Sequence, residues 1–200
     1  MITNKIKSIV VEKLFGVYDY TLTIPSDTKD NVFILYGDNG TGKSTILRLV
    51  YHLLSTEPGC AHKTKLANIA FKSITVIFDN ETVVRAERDD KNEDYLGDYN
   101  LIFRNSTLDL QCHATSSWSE ESHRYKINFT NDDSDNRMNY HCILMKLRSI
   151  NVFYISDNRI NISRVSMDVV RHRRALKLVK IRLNAFKIQV LGRSGGDFYL

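Results

Sequence analysis

The sequence has few prolines, few cysteines and no long apolar segment. Two prolines in 200 residues, with 42% hydrophobic and 26% charged residues and a mean hydropathy of −0.29, exclude a collagenous or disordered chain. No apolar run approaches the roughly 18 residues that a membrane-spanning helix needs. The first residues also lack the apolar core and cleavage site of a secretion signal. We therefore predict a cytoplasmic globular protein with one substantial domain.

The three cysteines are too few and too scattered for a disulfide framework, and an odd number leaves one unpaired. Each lies beside or near a histidine, in the pairs Cys60/His62, Cys112/His113 and His141/Cys142. None of these pairs has the C-x-x-C or H-x-x-x-H spacing with which two ligands converge from one turn. We therefore predict ordinary thiols in a reducing compartment and not a zinc site.

Positive charge is concentrated near the C-terminal end of the sequence. Between Arg159 and Arg193, ten basic residues oppose the single acid Asp168, so this segment carries +9 and leaves −4 for the rest of a chain whose net charge is +5. Such a surface attracts nucleic-acid phosphates or an acidic protein partner, or it is simply a solvated helix face. The basic side chains that we expect to contact a partner are Arg171, Arg173, Arg174, Lys177, Lys180 and Arg182.

Hydrophobic periodicity predicts an α/β protein. Residues 6–11 and 18–24 form a predicted β-hairpin, and the apolar run at 32–36 is typical of a strand covered on both faces. From Ser44 the apolar residues follow a helical stripe that ends before Pro58. The stretch 66–130 has the two-residue period of antiparallel strands, with exposed acidic loops at 89–98 and 132–135.

The C-terminal third is less regular. A helix is predicted at 138–147 and a second buried strand at 152–155. In the tail, apolar residues at 176, 179, 183, 186 and 190 follow a heptad pattern, although 186–190 also alternate as in a strand. The predicted organisation is a lobe at 1–160, with an antiparallel β-subdomain at about 66–130, followed by a basic, helical tail or the start of a helical insertion at 161–200.

The segment GDNGTGKST at 37–45 matches the phosphate-binding pattern G-x-x-x-x-G-K-[ST] in full. It follows a predicted strand and opens a predicted helix, which is the context that the pattern requires. Glycines let the loop curl so that main-chain N–H groups point at phosphate oxygens, and the helix dipole favours the same anion. The predicted nucleotide-binding residues are Gly37, Asp38, Asn39, Gly40, Thr41, Gly42, Lys43, Ser44 and Thr45.

Within this loop, Lys43 is expected to bridge the β- and γ-phosphates of ATP, and the Ser44 hydroxyl to bind Mg²⁺. A Walker B strand, which would complete a hydrolytic site, is not convincing. Residues 76–79 followed by Glu81 look more like a hairpin turn. Residues 152–157 are a better imitation, but Asp157 arrives one residue late and no glutamate follows it.

The loop YGDNGTGKST, preceded by a hairpin containing KLFGVYDYTLTI and followed by LRLVYHLL and antiparallel strands, resembles the N-terminal part of an ABC-type ATPase head. The match is closest to the RecF, SMC and OLD-like AAA ATPases, which include anti-phage defence ATPases. The resemblance implies a P-loop NTPase core with an antiparallel β-subdomain, and ATP and Mg²⁺ as cofactors. It also implies a nucleotide contact at Phe15 and catalytic roles for Lys43 and Asp157. Arg159 is a further candidate in the same segment as Asp157.

Heads of this family close their site with an LSGGE-like segment and a Walker B strand, and residues 194–197 are only a superficial echo of the first. We therefore expect this sequence to be either a truncated product or one lobe of a head whose remaining half is supplied by another polypeptide. The expected partner is a second ATPase head, in a homo- or hetero-oligomer. The predicted function is an ATP-binding lobe that couples ATP binding and hydrolysis to a nucleic acid or an effector protein, in anti-phage defence or DNA repair. A non-catalytic nucleotide-sensing scaffold is the alternative, and a small-molecule kinase is a weaker one because alternating β/α units do not follow the loop.

Overall fold

The computed structural model describes residues 5–24, 38, 40–129 and 133–150. The elements within these ranges are β1 (Ile6–Leu14), β2 (Tyr18–Thr23), α1 (Lys43–Leu54), α2 (His62–Ala67), β3 (Ser73–Phe78), β4 (Val83–Glu87), β5 (Tyr99–Arg104), β6 (Asp109–Ser119), β7 (Arg124–Asn128) and α3 (Ser134–Leu147). The strands form a sheet in the order β2-β1-β3-β4-β5-β6-β7, and each neighbouring pair is antiparallel.

The predicted N-terminal hairpin is confirmed, and it belongs to the same sheet as the strands of the middle third. In β1, Ile9 pairs with Leu22 of β2 on one side and with Val76 of β3 on the other. The antiparallel strands predicted from 66 onward begin at Ser73. Residues 62–67 instead form the short helix α2, which the sequence pattern did not indicate.

The core lies on one face of this sheet. Alternating side chains of neighbouring strands are buried in register, with Ile74 opposite Ala86 and Val84 opposite Phe103. Helix α1 packs against β3 and β4 with a buried stripe of Ile46, Leu49, Val50, Leu53 and Leu54. Leu47, which the predicted stripe also included, is 40% exposed. Each fully buried side chain of this kind stabilises the fold by about 1.5–3 kcal/mol.

Helix α2 is attached to the sheet by two buried polar side chains. The Arg88 guanidinium donates to the main-chain oxygens of Phe71 (2.6 Å) and Leu66 (3.0 Å) and stacks on the Phe71 ring. The Tyr99 hydroxyl donates to the main-chain oxygen of Lys63 at 2.8 Å. Burial lowers the pKa of Arg88 to about 10, which still leaves it charged at neutral pH.

The predicted helix at 138–147 is confirmed but begins earlier, at Ser134. The Asp133 carboxylate accepts from the Asp135 main-chain N–H at 2.9 Å and so caps the helix, which makes the acidic stretch a helix start where a loop was predicted. Helix α3 covers the edge of β6, because the Asn136 side chain accepts from the His113 N–H at 2.6 Å and donates to its oxygen at 2.9 Å.

Several predicted features lie outside the described residues. They are the strands at 32–36 and 152–155, the loop residues Gly37 and Asn39, Asp157 with Arg159, and the basic tail at 161–200. The parallel core of a P-loop NTPase therefore stays a prediction. None of the helices in the described ranges is long and apolar enough to cross a bilayer.

Candidate nucleotide-binding site

The described part of the loop turns directly into helix α1. Gly40 has φ +88° and Gly42 has φ +82°, both in the left-handed region that glycine adopts without strain. Gly42 is the N-cap residue of α1, and its carbonyl accepts the first helical hydrogen bond, from the Ile46 N–H at 2.8 Å. The two glycines predicted to curl the loop therefore have the backbone conformation that curling requires.

Gly42 is also packed tightly against the turn between β1 and β2. A Cβ atom at this position would lie 2.7 Å from Leu14 Cδ2 and 3.3 Å from Phe15 Cε2. At Gly40, by contrast, no heavy atom lies within 4 Å of the corresponding position. The hairpin turn thus packs against one side of the loop, and a side chain at Gly42 would require the Leu14 side chain to shift.

The turn that carries Phe15 has an unusual and well-fixed backbone. Lys13 and Phe15 have positive φ values of 50° and 55°, and the Phe15 N–H donates to the Ala70 oxygen at 2.8 Å. The Asp19 carboxylate accepts from the Lys13 N–H at 2.8 Å, and this hydrogen bond is the main reason why the pKa of Asp19 is lowered. Phe15, 45% exposed, is thereby held beside the start of α1.

A second contact joins the hairpin to the loop and was missed by the sequence analysis. The Tyr20 hydroxyl of β2 donates to the main-chain oxygen of Thr41 at 2.5 Å. Burial raises the pKa of Tyr20, which keeps this hydroxyl protonated as a donor. The alternating tyrosines of β2 were the available signal, but the sequence alone does not show which of them faces the loop.

Within the loop, side chains close back onto the main chain. The Thr41 hydroxyl donates to the Asp38 oxygen at 2.9 Å. The Lys43 ammonium donates to the same Asp38 oxygen and to Thr41 Oγ1 at 3.2 Å. The lysine that is expected to bind phosphate therefore lies over the curl of the loop.

The next two predicted residues, both in the first turn of α1, have different environments. Ser44 is exposed, so its hydroxyl is accessible to a ligand. Thr45 is 7% exposed, and its hydroxyl accepts from Arg48 Nη2 at 3.2 Å. Arg48, which the sequence analysis did not consider, adds positive charge one turn into the helix.

These residues fit a phosphate group. The N-cap of α1 is a glycine and the first turn contains no acidic residue, so the first helical N–H groups and the positive end of the dipole are not neutralised by an acidic side chain of this turn. Gly42 packs against the Leu14 and Phe15 side chains of the hairpin turn, which supports the backbone at the start of α1. Lys43 supplies the positive charge, and Ser44 an exposed hydroxyl.

The first Walker B imitation is a hairpin turn, as predicted. Asp79 follows β3, and its N–H donates to the Lys5 oxygen at 2.8 Å while its carboxylate accepts from the Lys5 N–H at 3.2 Å. Glu81 is exposed and has φ 62°, a turn conformation. These two carboxylates therefore belong to the β3–β4 connection.

No protein-family model and no curated protein matches this chain.

Proposed function

We propose that this chain is the ATP-binding lobe of an ABC-type ATPase of the RecF, SMC and OLD-like group. The observation that carries the proposal is the close approach at Gly42. The described C-terminal part of a G-x-x-x-x-G-K-[ST] sequence packs there against the β1–β2 turn, where a Cβ atom would lie 2.7 Å from Leu14 Cδ2, and helix α1 begins at Lys43.

The bound nucleotide would be held by this chain as follows. Main-chain N–H groups of the loop and of the first turn of α1 bind phosphate oxygens, and the Lys43 ammonium moves from the Asp38 oxygen to the β- and γ-phosphates. The Ser44 hydroxyl coordinates Mg²⁺, which neutralises charge on those phosphates. Phe15 offers its exposed ring to the base.

Hydrolysis in this proposal needs residues beyond the described ones. Asp157 is the candidate acid within the chain, and a second head supplies the residues that close the site. ATP binding would order the interface between heads and hydrolysis would release it. The coupled partner is a nucleic acid or an effector protein that contacts the basic tail.

A nucleotide-sensing scaffold without hydrolysis is the second candidate. The position of Asp79 in a hairpin turn favours it, because the Walker B imitation that comes first in the sequence is then a turn and not a catalytic strand. The antiparallel course of β3 to β7 also disfavours the kinase alternative, since kinases of this size have alternating β/α units after the loop.

Equilibrium dialysis of the full chain with Mg²⁺ and ATP, ADP or AMP tests nucleotide binding. We expect ATP and ADP to bind and AMP to bind much more weakly, because the loop contacts the β-phosphate. Lys43→Ala should weaken ATP binding by about 100-fold, since it removes a charge-assisted contact. The exposed Lys126 on β7 gives the matched control, Lys126→Ala, which should bind ATP as the unmodified chain does.

Equal ATP binding by the unmodified chain and by Lys43→Ala would contradict the proposal, and so would the absence of binding to folded protein. Phosphate release then separates the two candidate functions. Slow release alone that rises when a second head is added supports the ATPase lobe. No release under either condition, with tight ATP binding, supports the scaffold.

A further inference from the structure

The segment between α1 and α2 brings together three side chains with metal-binding atoms. A carboxylate oxygen of Glu57, the Sγ of Cys60 and a ring nitrogen of His62 all lie within 4.8 Å of one another. The spacing is E-x-x-C-x-H, which contains neither the C-x-x-C nor the H-x-x-x-H pair. The convergence depends on two left-handed residues, Gly59 (φ 77°) and Ala61 (φ 48°), which bend the chain between the three donors.

His62 gives an independent indication that a ligand belongs here. The side chain is only 4% exposed, and its Nε2 has no hydrogen-bond partner among the described residues. This nitrogen lies 4.0 Å from a Glu57 carboxylate oxygen. A buried polar atom without a hydrogen-bond partner loses its contact with water and gains nothing in return, so such an atom calls for an explanation.

The other ring nitrogen of His62 is already engaged. Its Nδ1 lies 3.0 Å from Nδ1 of His52, near the end of α1. When His62 donates from Nδ1, its Nε2 presents a lone pair to Glu57 and Cys60, which is how a second hydrogen bond orients a metal-binding histidine.

Two neighbouring side chains complete the surroundings. The Tyr51 ring packs edge-on against the His62 ring at 4.9 Å, and its hydroxyl lies 3.4 Å from the Glu57 carboxylate. The Lys63 ammonium, in the next position along α2, donates to main-chain oxygens at the end of α1, including that of His52 at 2.9 Å. The cluster is therefore built on a fixed junction of two helices, with its open side at Glu57.

We propose that Glu57, Cys60 and His62 bind a zinc ion that joins the end of α1 to α2, with water in the fourth position. An oxygen, a sulfur and a nitrogen donor form a ligand set that zinc accepts. With bonds of about 2.0–2.3 Å, tetrahedral ligand atoms lie roughly 3.3–3.8 Å apart, so the three donors close by about 1 Å on binding. The Cys60 thiol loses its proton to solvent as the zinc–sulfur bond forms.

This site is separate from the proposed nucleotide site. It lies beyond the C-terminal end of α1, whose last residue, Leu54, is about 16 Å along the helix from Lys43 at a rise of 1.5 Å per residue. Zinc binding is therefore expected with or without ATP.

Cobalt titration of the metal-stripped full chain tests the proposal, because Co²⁺ replaces zinc and reports a bound thiolate by an ultraviolet charge-transfer band. We expect the band to saturate at one equivalent and to disappear when Zn²⁺ is added. Cys60→Ser should weaken binding by about 100-fold and Glu57→Gln by about 10-fold. Both residues are partly or largely exposed, so these variants should fold. Cys142→Ser, at another half-buried thiol beside a histidine, is the control and should bind like the unmodified chain.

Absence of the thiolate band at one equivalent would overturn the proposal, as would equal cobalt binding by Cys60→Ser and the unmodified chain. A second measurement uses the thiols directly. Zinc should slow the reaction of Cys60 with iodoacetamide by at least about tenfold while Cys142 reacts as before. Equal rates at Cys60 with and without zinc would also overturn it.

Discussion

The two ends of helix α1 differ in whether side chains of this chain bind their main-chain groups. At the C-terminal end, the buried Lys63 ammonium donates to the main-chain oxygens of His52 (2.9 Å), Ser55 (3.2 Å) and Leu53. At the N-terminal end, the cap is Gly42, which has no side chain to offer, and the first turn contains no acid. The Lys63 side chain therefore binds the carbonyl oxygens at the C-terminal end, whereas the N–H groups at the N-terminal end are suited to an external anion.

This difference separates residues that the fold needs from residues that the proposed function needs. Lys63 is 6% exposed, and burial lowers its pKa to about 7. Removing the Lys63 side chain from water costs solvation free energy, and its hydrogen bonds to three main-chain oxygens offset that cost. Lys43 is half-buried, and its ammonium contacts the Asp38 oxygen and Thr41 Oγ1 of the loop. Substitutions at the two lysines should therefore have different consequences.

Lys63→Met should give the largest effect on stability. The substitution keeps an unbranched side chain but leaves three carbonyl oxygens at the end of α1 without their donor. We expect the free energy of unfolding to fall by about 3 kcal/mol. Urea denaturation measures the change, and the exposed neighbour Lys65→Met should stay within about 0.5 kcal/mol of the unmodified chain. Equal stability of the two variants would show that Lys63 does not close the helix.

Gly42→Ala should have a smaller effect on stability and a clear effect on nucleotide binding. The alanine would have to keep the left-handed backbone conformation of Gly42, and its Cβ would lie 2.7 Å from Leu14 Cδ2. We expect a loss of about 2 kcal/mol in unfolding free energy and a shift of the hairpin away from the loop. Gly40→Ala has the same backbone strain without the contact, so it should cost only about 1 kcal/mol.

Identical losses in the two glycine variants would contradict the tight packing between the hairpin turn and the loop. Thermal or urea unfolding measures both variants under the same conditions, and ATP affinity is measured alongside. The difference between the two variants isolates the contact with Leu14 from the backbone strain that both share.

Tyr20→Phe should give the smallest change. It removes the single hydrogen bond to the Thr41 oxygen and leaves the ring in place. We expect about 1 kcal/mol less stability and a severalfold weaker ATP affinity, because one tether of the loop is lost. Tyr18→Phe, at the stacked neighbour on the same strand, is the matched control for calorimetric binding of ATP. If Tyr18→Phe changed ATP affinity as much as Tyr20→Phe does, the hydrogen bond from Tyr20 to the Thr41 oxygen would not account for the effect.

The periodic parts of the fold could be predicted from the sequence. Two-residue alternation at 73–78 and 83–87 marks half-buried strands, and the stripe from Ile46 to Leu54 marks a helix on a sheet. The loop pattern at 37–45 predicts phosphate binding because its residue types and spacing have a direct mechanism, and this binding stays a prediction. These signals are local, so one sequence is enough to show them.

Features that depend on tertiary contacts could not be predicted. Helix α2 is short and is held by Arg88 and Tyr99, which come from distant parts of the chain. The cluster of Glu57, Cys60 and His62 depends on a left-handed alanine at position 61, which no sequence rule favours. The sequence pattern gave only the approach of a phosphate as the reason for glycine at position 42, whereas the structure adds close packing against Leu14 and Phe15.

Hydrogen exchange of the full chain with and without Mg²⁺ and ATP tests the contrast between the two helix ends most directly. If the loop binds the triphosphate, a peptide covering residues 40–46 should exchange more slowly at saturating ATP, while one covering residues 52–63 should be unchanged. Absence of protection at 40–46 in folded protein, or protection only at 52–63, would contradict a nucleotide site at the start of α1.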